Sequence, residues 1–73
     1  MTSINPDGTL TPSARALLES LIQPGSLQDI ARNTNMLTHL IRTSLQELND
    51  AGLLEESQGI YKITGAGLAL LMP

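Results

Sequence analysis

Cysteine, phenylalanine and tryptophan are absent from the 73 residues of this chain. Without cysteine there is no disulfide, no thiolate nucleophile and no cysteine ligand for zinc, which is compatible with a reducing compartment. Tyr61 is the single aromatic residue. The core must therefore be built from leucine and isoleucine, each of which contributes about 1.5 to 3 kcal/mol when fully buried.

Basic residues and long apolar runs are also scarce. Four Lys and Arg stand against seven Asp and Glu, which gives a net charge of -3 and a pI near 4.7. The apolar runs are shorter than the roughly 20 residues that cross a bilayer, and no basic segment followed by an apolar stretch begins the chain. We expect a cytoplasmic protein without a membrane partner.

Motifs that support catalysis are missing from the sequence. It contains no glycine-rich phosphate loop and no nucleophile, base and acid at motif spacing. His39 is the only histidine, and without cysteine it has too few companions for a zinc site. We expect no enzyme activity, no catalytic residue, no metal and no cofactor.

The chain is predicted to form one domain over residues 11–73, preceded by a polar arm over residues 1–10. Thr11 and Pro12 have the residue types that favour a helix N-cap and first helical position, and Pro24-Gly25 ends that helix. Its apolar residues recur at helical spacing, which predicts one buried stripe: Ala14, Leu17, Leu18, Leu21 and Ile22.

A second and a third helix are predicted on either side of a polar turn. Ser26 and Asp29 resemble a capping box that begins the second helix, whose Leu27, Ile30 and Ala31 should face inward. The turn is Asn33-Thr34-Asn35, because asparagine tolerates the left-handed backbone conformation.

The third helix should run over about residues 36–51 and stop at Gly52. Its apolar arc consists of Leu37, Ile41, Leu45 and Leu48, and a polar face lies opposite. The expected core residues come from all three helices: Leu17, Leu21, Ile30, Ile41, Leu45 and Leu48.

Beyond Gly52 the pattern changes to short strand-like runs. Residues 53–56 and 60–63 flank Ser57-Gln58-Gly59, which predicts a β-hairpin with glycine available for positive φ. The apolar segment over residues 64–72 should form a short C-terminal helix, with Leu68, Leu70 or Leu71 docked on the body.

The segment from Ser26 to Leu71 resembles winged helix-turn-helix regulators of the MarR, PadR and ArsR families. The shared features are the Ile30-Ala31 pair, the polar turn, the phrase LNDAGL ending at Leu53, and YKITGAGLALL beginning at Tyr61. The resemblance implies a mainly α fold with a small β-hairpin, made of a three-helix core, a two-stranded wing and a short C-terminal helix. It also implies a small DNA-binding transcriptional regulator whose third helix enters the major groove.

Positions that contact DNA in these families lie on the third helix and in the wing. The resemblance carries them to this chain as Thr38, His39, Arg42, Thr43, Gln46 and Lys62. Arginine can hold guanine, glutamine can hold adenine, and threonine can contact a base or a phosphate. Glu55 and Glu56 place negative charge in the wing, where it would repel phosphate.

Each of these residues also has a structural interpretation. Arg42, His39, Thr38 and Thr43 could be ordinary solvated side chains, and Tyr61 could be a residue at the base of the wing. The functional alternatives are a DNA-binding regulator, which needs a homodimer or a protein partner to offset its acidic charge, and a winged-helix module that binds protein without contacting DNA.

Overall fold

The computed structural model describes residues 4–72; residues 1–3 of the predicted arm and Pro73 lie outside them. The element order is α1 (Pro12–Ser20), α2 (Leu27–Thr34), α3 (Thr38–Asp50), β1 (Leu54–Ser57), β2 (Ile60–Ile63) and α4 (Gly65–Leu71). This order and the antiparallel pairing of β1 with β2 confirm the predicted winged helix-turn-helix architecture.

Local sequence explains where α1 and α2 begin. Thr11 accepts a hydrogen bond from the Ala14 N–H at the start of α1. Ser26 and Asp29 form a reciprocal capping box on α2, in which each side chain accepts from the other residue's backbone N–H. Both contacts satisfy backbone donors that a helix N-terminus otherwise leaves unpaired.

Left-handed residues end α2 and α3 as predicted, although Asn33 and Thr34 of the predicted turn belong to α2. Asn35 has φ of 58° and closes α2. Gly52 has φ of 77°, and after it the Leu53 N–H donates to the Leu48 carbonyl at 2.9 Å. This pattern, together with the Gly52 N–H bond to Asn49, is a Schellman motif. The helix α3 is shorter at each end than predicted, beginning at Thr38 and ending at Asp50.

The hairpin turn is made by Gln58 and Gly59, both with positive φ. Two successive residues of this kind give the type I′ geometry that matches the twist of the flanking strands. A further bridge pairs Gly25 with Tyr61, through reciprocal backbone hydrogen bonds of 3.0 and 2.8 Å. The segment between α1 and α2 is therefore tied to β2 by an isolated β-bridge, which the sequence pattern did not indicate.

One aliphatic core joins α1, α2, α3 and the hairpin. All six expected core residues are at most 3% exposed, and Leu68 and Leu71 of α4 pack against them. Two other apolar predictions were wrong: Ile22 is 55% exposed and Leu37 is 63% exposed. Ile22 and Leu37 lie just beyond the ends of α1 and α3, where no element covers them.

Candidate nucleic-acid interface

The helix α3 presents one polar face away from the core. Ile41, Ser44, Leu45 and Leu48 are buried, and this anchors the helix. The exposed side chains of its first turns include Thr38, His39 and Arg42. From Thr38 to Thr43, the exposed residues of α3 fall within about 140° of its circumference at about 100° per residue. The burial pattern therefore separates a core face from a solvent face along the whole helix.

Acidic residues are confined to the C-terminal third of α3. Glu47 and Asp50 are its only carboxylates, and both follow Arg42 by more than one turn. Within residues 4–72, Arg42 takes part in no ion pair, whereas Arg32 lies 3.7 Å from Asp29. The leading half of α3 is thus a polar surface with one available guanidinium group.

Two of the predicted contact residues already hold hydrogen bonds. The Thr43 hydroxyl donates to the His39 carbonyl at 3.0 Å, and the Gln46 amide donates to Asp50 at 3.0 Å. Both side chains keep acceptor capacity, because a hydroxyl has two lone pairs and the Gln46 amide oxygen is not used in that bond. Each can therefore still accept a hydrogen bond from a ligand.

A groove of about 260 Å³ separates α3 from the hairpin. Arg42, Gln46 and Asn49 line the helix side, and Glu56 and Tyr61 line the hairpin side. Tyr61 is half-buried, but its pairing with Glu56 places it nearer the tip than the base of the wing, so the expected position at the base was wrong. Asn49 was not among the predicted contact residues, but its helical spacing from Arg42 and Gln46 places it on the same face, and it lines the same groove.

Lys62 does not join the residues of α3. Alternation along the strands puts Glu56 and Tyr61 on one face of the hairpin and Glu55 and Lys62 on the other. Lys62 instead lines a second groove, with Pro24 and Ile60. It is also paired in register with Glu55, so a carboxylate belongs to its nearest cross-strand neighbour. The structure brings together five of the six predicted contact residues and leaves Lys62 apart.

Two further features of the described residues concern metal binding and membrane crossing. No group of three or more histidine, aspartate or glutamate side chains is placed to hold a metal ion in the part of the chain described. Over the same residues, no helix has the length and apolarity needed to cross a membrane.

The fold and the polar α3 face define a winged helix-turn-helix domain. The chain is similar to a solved structure of BpsR from Bordetella bronchiseptica, from work on how 6-hydroxynicotinic acid regulates DNA binding by that protein. The two share 27% sequence identity with a TM-score of 0.84, over 94% of this chain and 54% of the BpsR chain. This chain thus spans about half the length of BpsR. No family model and no curated protein matches the sequence.

Proposed function

We propose that this chain is a DNA-binding transcriptional regulator that inserts α3 into the major groove. The observation that carries the proposal is the leading half of α3, which is exposed, polar and free of carboxylates, on a helix whose opposite side is anchored in the core. Similarity to BpsR, whose DNA binding is regulated, supports the same function.

The contact residues then have distinct roles. Arg42 offers a bidentate donor pair to guanine, and Gln46 offers donor and acceptor groups to adenine. Thr38, His39 and Thr43 contact base edges or phosphates on either side of them. Lys62 reaches a flanking phosphate from the hairpin, and that contact positions the protein without specifying sequence.

The DNA-binding form is proposed to be a homodimer or a complex with a more basic protein. Winged-helix and related domains gain affinity by placing two copies on adjacent half-sites, and a chain of net charge -3 needs this gain. The apolar contact between protomers is supplied by the arm before Thr11 or by residues 68–72, where Leu70 and Met72 are exposed.

A protein-binding module is the second candidate, and the acidic hairpin favours it. Glu55 and Glu56 are exposed on β1, and such charges weaken attraction to a DNA backbone while suiting a basic protein surface.

Titration of the purified protein with mixed-sequence duplex DNA, at low and at physiological salt, tests the proposed function. Binding that weakens as salt rises supports DNA as the ligand. Absence of binding at low salt would contradict the DNA proposal and favour the protein-binding module.

A further inference from the structure

Arg42 and Glu56 border the same groove from opposite sides. Arg42 projects from α3 and Glu56 belongs to β1, and both line the space of about 260 Å³ between helix and hairpin. They are not in ion-pair contact, since Arg32 with Asp29 is the salt bridge found over residues 4–72. A base edge or a phosphate that approaches Arg42 along this groove therefore also approaches a carboxylate.

The Glu56 carboxylate is held in place by the hairpin turn. One of its oxygens accepts a hydrogen bond of 2.7 Å from the Gly59 N–H, a charge-assisted contact that is stronger than a neutral one. The glycine belongs to a type I′ turn, which has a defined backbone geometry. The bond restrains this exposed side chain beside the groove that contains Arg42 and the groove that contains Lys62.

We propose that Glu56 is a specificity-determining residue that restricts Arg42 to base contacts by disfavouring phosphate in the groove. This inference depends on the proposed DNA-binding function. A phosphate carries full negative charge, so a neighbouring carboxylate repels it and cancels much of the attraction of Arg42. The guanine edge is neutral and is recognised by directed hydrogen bonds. The carboxylate therefore weakens guanine binding to Arg42 less than it weakens phosphate binding. Discrimination against unwanted ligands by a built-in repulsion is a general route to specificity.

Glu56→Gln tests the proposal, because the amide oxygen can still accept from the Gly59 N–H while the charge is removed. Glu19→Gln is the matched control: it makes the same change in net charge on α1, and Glu19 does not line the groove. Thermal melts establish that each variant is folded. If Glu56→Gln is unfolded, Glu56→Thr is used instead, because it removes the charge and threonine is favoured in strands.

The parent and both variants are titrated with two duplexes over a salt series. One duplex is selected from a randomised pool by the parent, and the other has mixed sequence. Loss of one nearby repulsion should tighten mixed-sequence binding by about 3- to 10-fold for Glu56→Gln. The gain should be smaller on the selected duplex, so discrimination falls, and the salt dependence of mixed-sequence binding should become steeper. Glu19→Gln should change the affinity for either duplex only slightly.

Two results would overturn the role of Glu56 and leave the proposed function intact. One is a Glu56→Gln protein that binds mixed-sequence DNA no better than Glu19→Gln. The other is an equal gain on both duplexes, which would show a general charge effect without selectivity. Failure of the parent and of Glu56→Gln to bind either duplex at low salt would remove the DNA-binding function together with this inference.

Discussion

Gly67 of α4 packs directly on the backbone carbonyl of Leu53. A Cβ atom at Gly67 would overlap the Leu53 oxygen and crowd the Ile63 side chain at 2.9 Å. The same junction is tied by Thr64, whose N–H donates to the Leu53 carbonyl and whose hydroxyl donates to the Gly52 carbonyl at 2.7 Å. The end of α3, the start of the hairpin and α4 are thus joined at one point that only glycine fits.

Gly67→Ala should destabilise the protein by about 1 to 3 kcal/mol, since overpacking forces neighbouring backbone to move. Gly65→Ala is the matched control in the same helix, because a Cβ there meets nothing within 4 Å. That control should be neutral or should stabilise by up to about 1 kcal/mol. Chemical denaturation measures both, and equal stability of the two variants would contradict the close packing at Gly67.

Leu48→Ala should cost about 2 to 5 kcal/mol, because it forfeits burial energy and leaves a cavity in the core. Leu48 is 0% exposed, whereas Leu37, at the N-cap of α3, is 63% exposed. Leu37→Ala should therefore leave the melting temperature almost unchanged. A Leu48→Ala protein that melts with the parent would disprove the core assignment.

Arg42→Ala should lose about 1 to 3 kcal/mol of binding energy and relax base preference. Lys62→Ala should weaken binding to all sequences about equally, because phosphate contacts carry no sequence information. Fluorescence anisotropy on selected and mixed-sequence duplexes separates these effects. If neither variant changed binding, α3 and the hairpin would not be the DNA-binding surface.

Asp29 should make the stability of the protein sensitive to acid. Its pKa lies below the ordinary value of 3.8, first because the Ser26 N–H donates to the carboxylate and then because the Ser26 hydroxyl does. When folding lowers the pKa of a carboxyl, that group stabilises the folded state at any pH above its pKa in the unfolded chain. The stabilisation is lost as the pH falls through its pKa in the folded protein. Thermal melts of Asp29→Asn should therefore show a lower melting temperature at neutral pH and a smaller fall below about pH 4. Parallel curves for parent and variant would contradict this.

The salt dependence of DNA binding should be shallow for a single protomer. Arg15 donates to the Leu70 and Leu71 carbonyls at 3.4 and 3.3 Å, which keeps it at the end of α4. Three fixed cations then remain: Arg32, Arg42 and Lys62. At roughly -0.9 per phosphate contact, the slope of log K against log salt should be no steeper than about -3 per protomer.

A monomer with so few phosphate contacts should bind weakly at physiological salt. Light scattering on the protein with and without DNA, combined with the salt series, should therefore show a dimer or a larger complex. A strictly monomeric protein with sub-micromolar affinity at physiological salt would contradict the charge argument.

Local features of the fold could be predicted because neighbouring residues determine them. The capping box of Ser26 and Asp29, the left-handed Asn35 and the glycine after α3 depend on contacts within a few positions of the chain. The same is true of the hairpin, whose glycine supplies positive φ. The polar and apolar faces of α3 follow from helical spacing alone.

Contacts between segments that are distant in the chain could not be predicted from local sequence patterns and are seen only in the tertiary structure. Ile22 and Leu37 fit the apolar periodicity of their helices. They are exposed because Ile22 follows the last residue of α1 and Leu37 precedes the first residue of α3, so neither side chain lies on the helical face that packs in the core. The bridge between Gly25 and Tyr61 has no local signal, since its two residues lie more than 30 positions apart in the chain. The resemblance to winged-helix families assigned the candidate DNA contacts, and that assignment stays a prediction. Only the folded arrangement decided that Arg42 faces Glu56 across a groove while Lys62 lies behind the hairpin, because strand pairing assigns neighbouring residues to opposite faces.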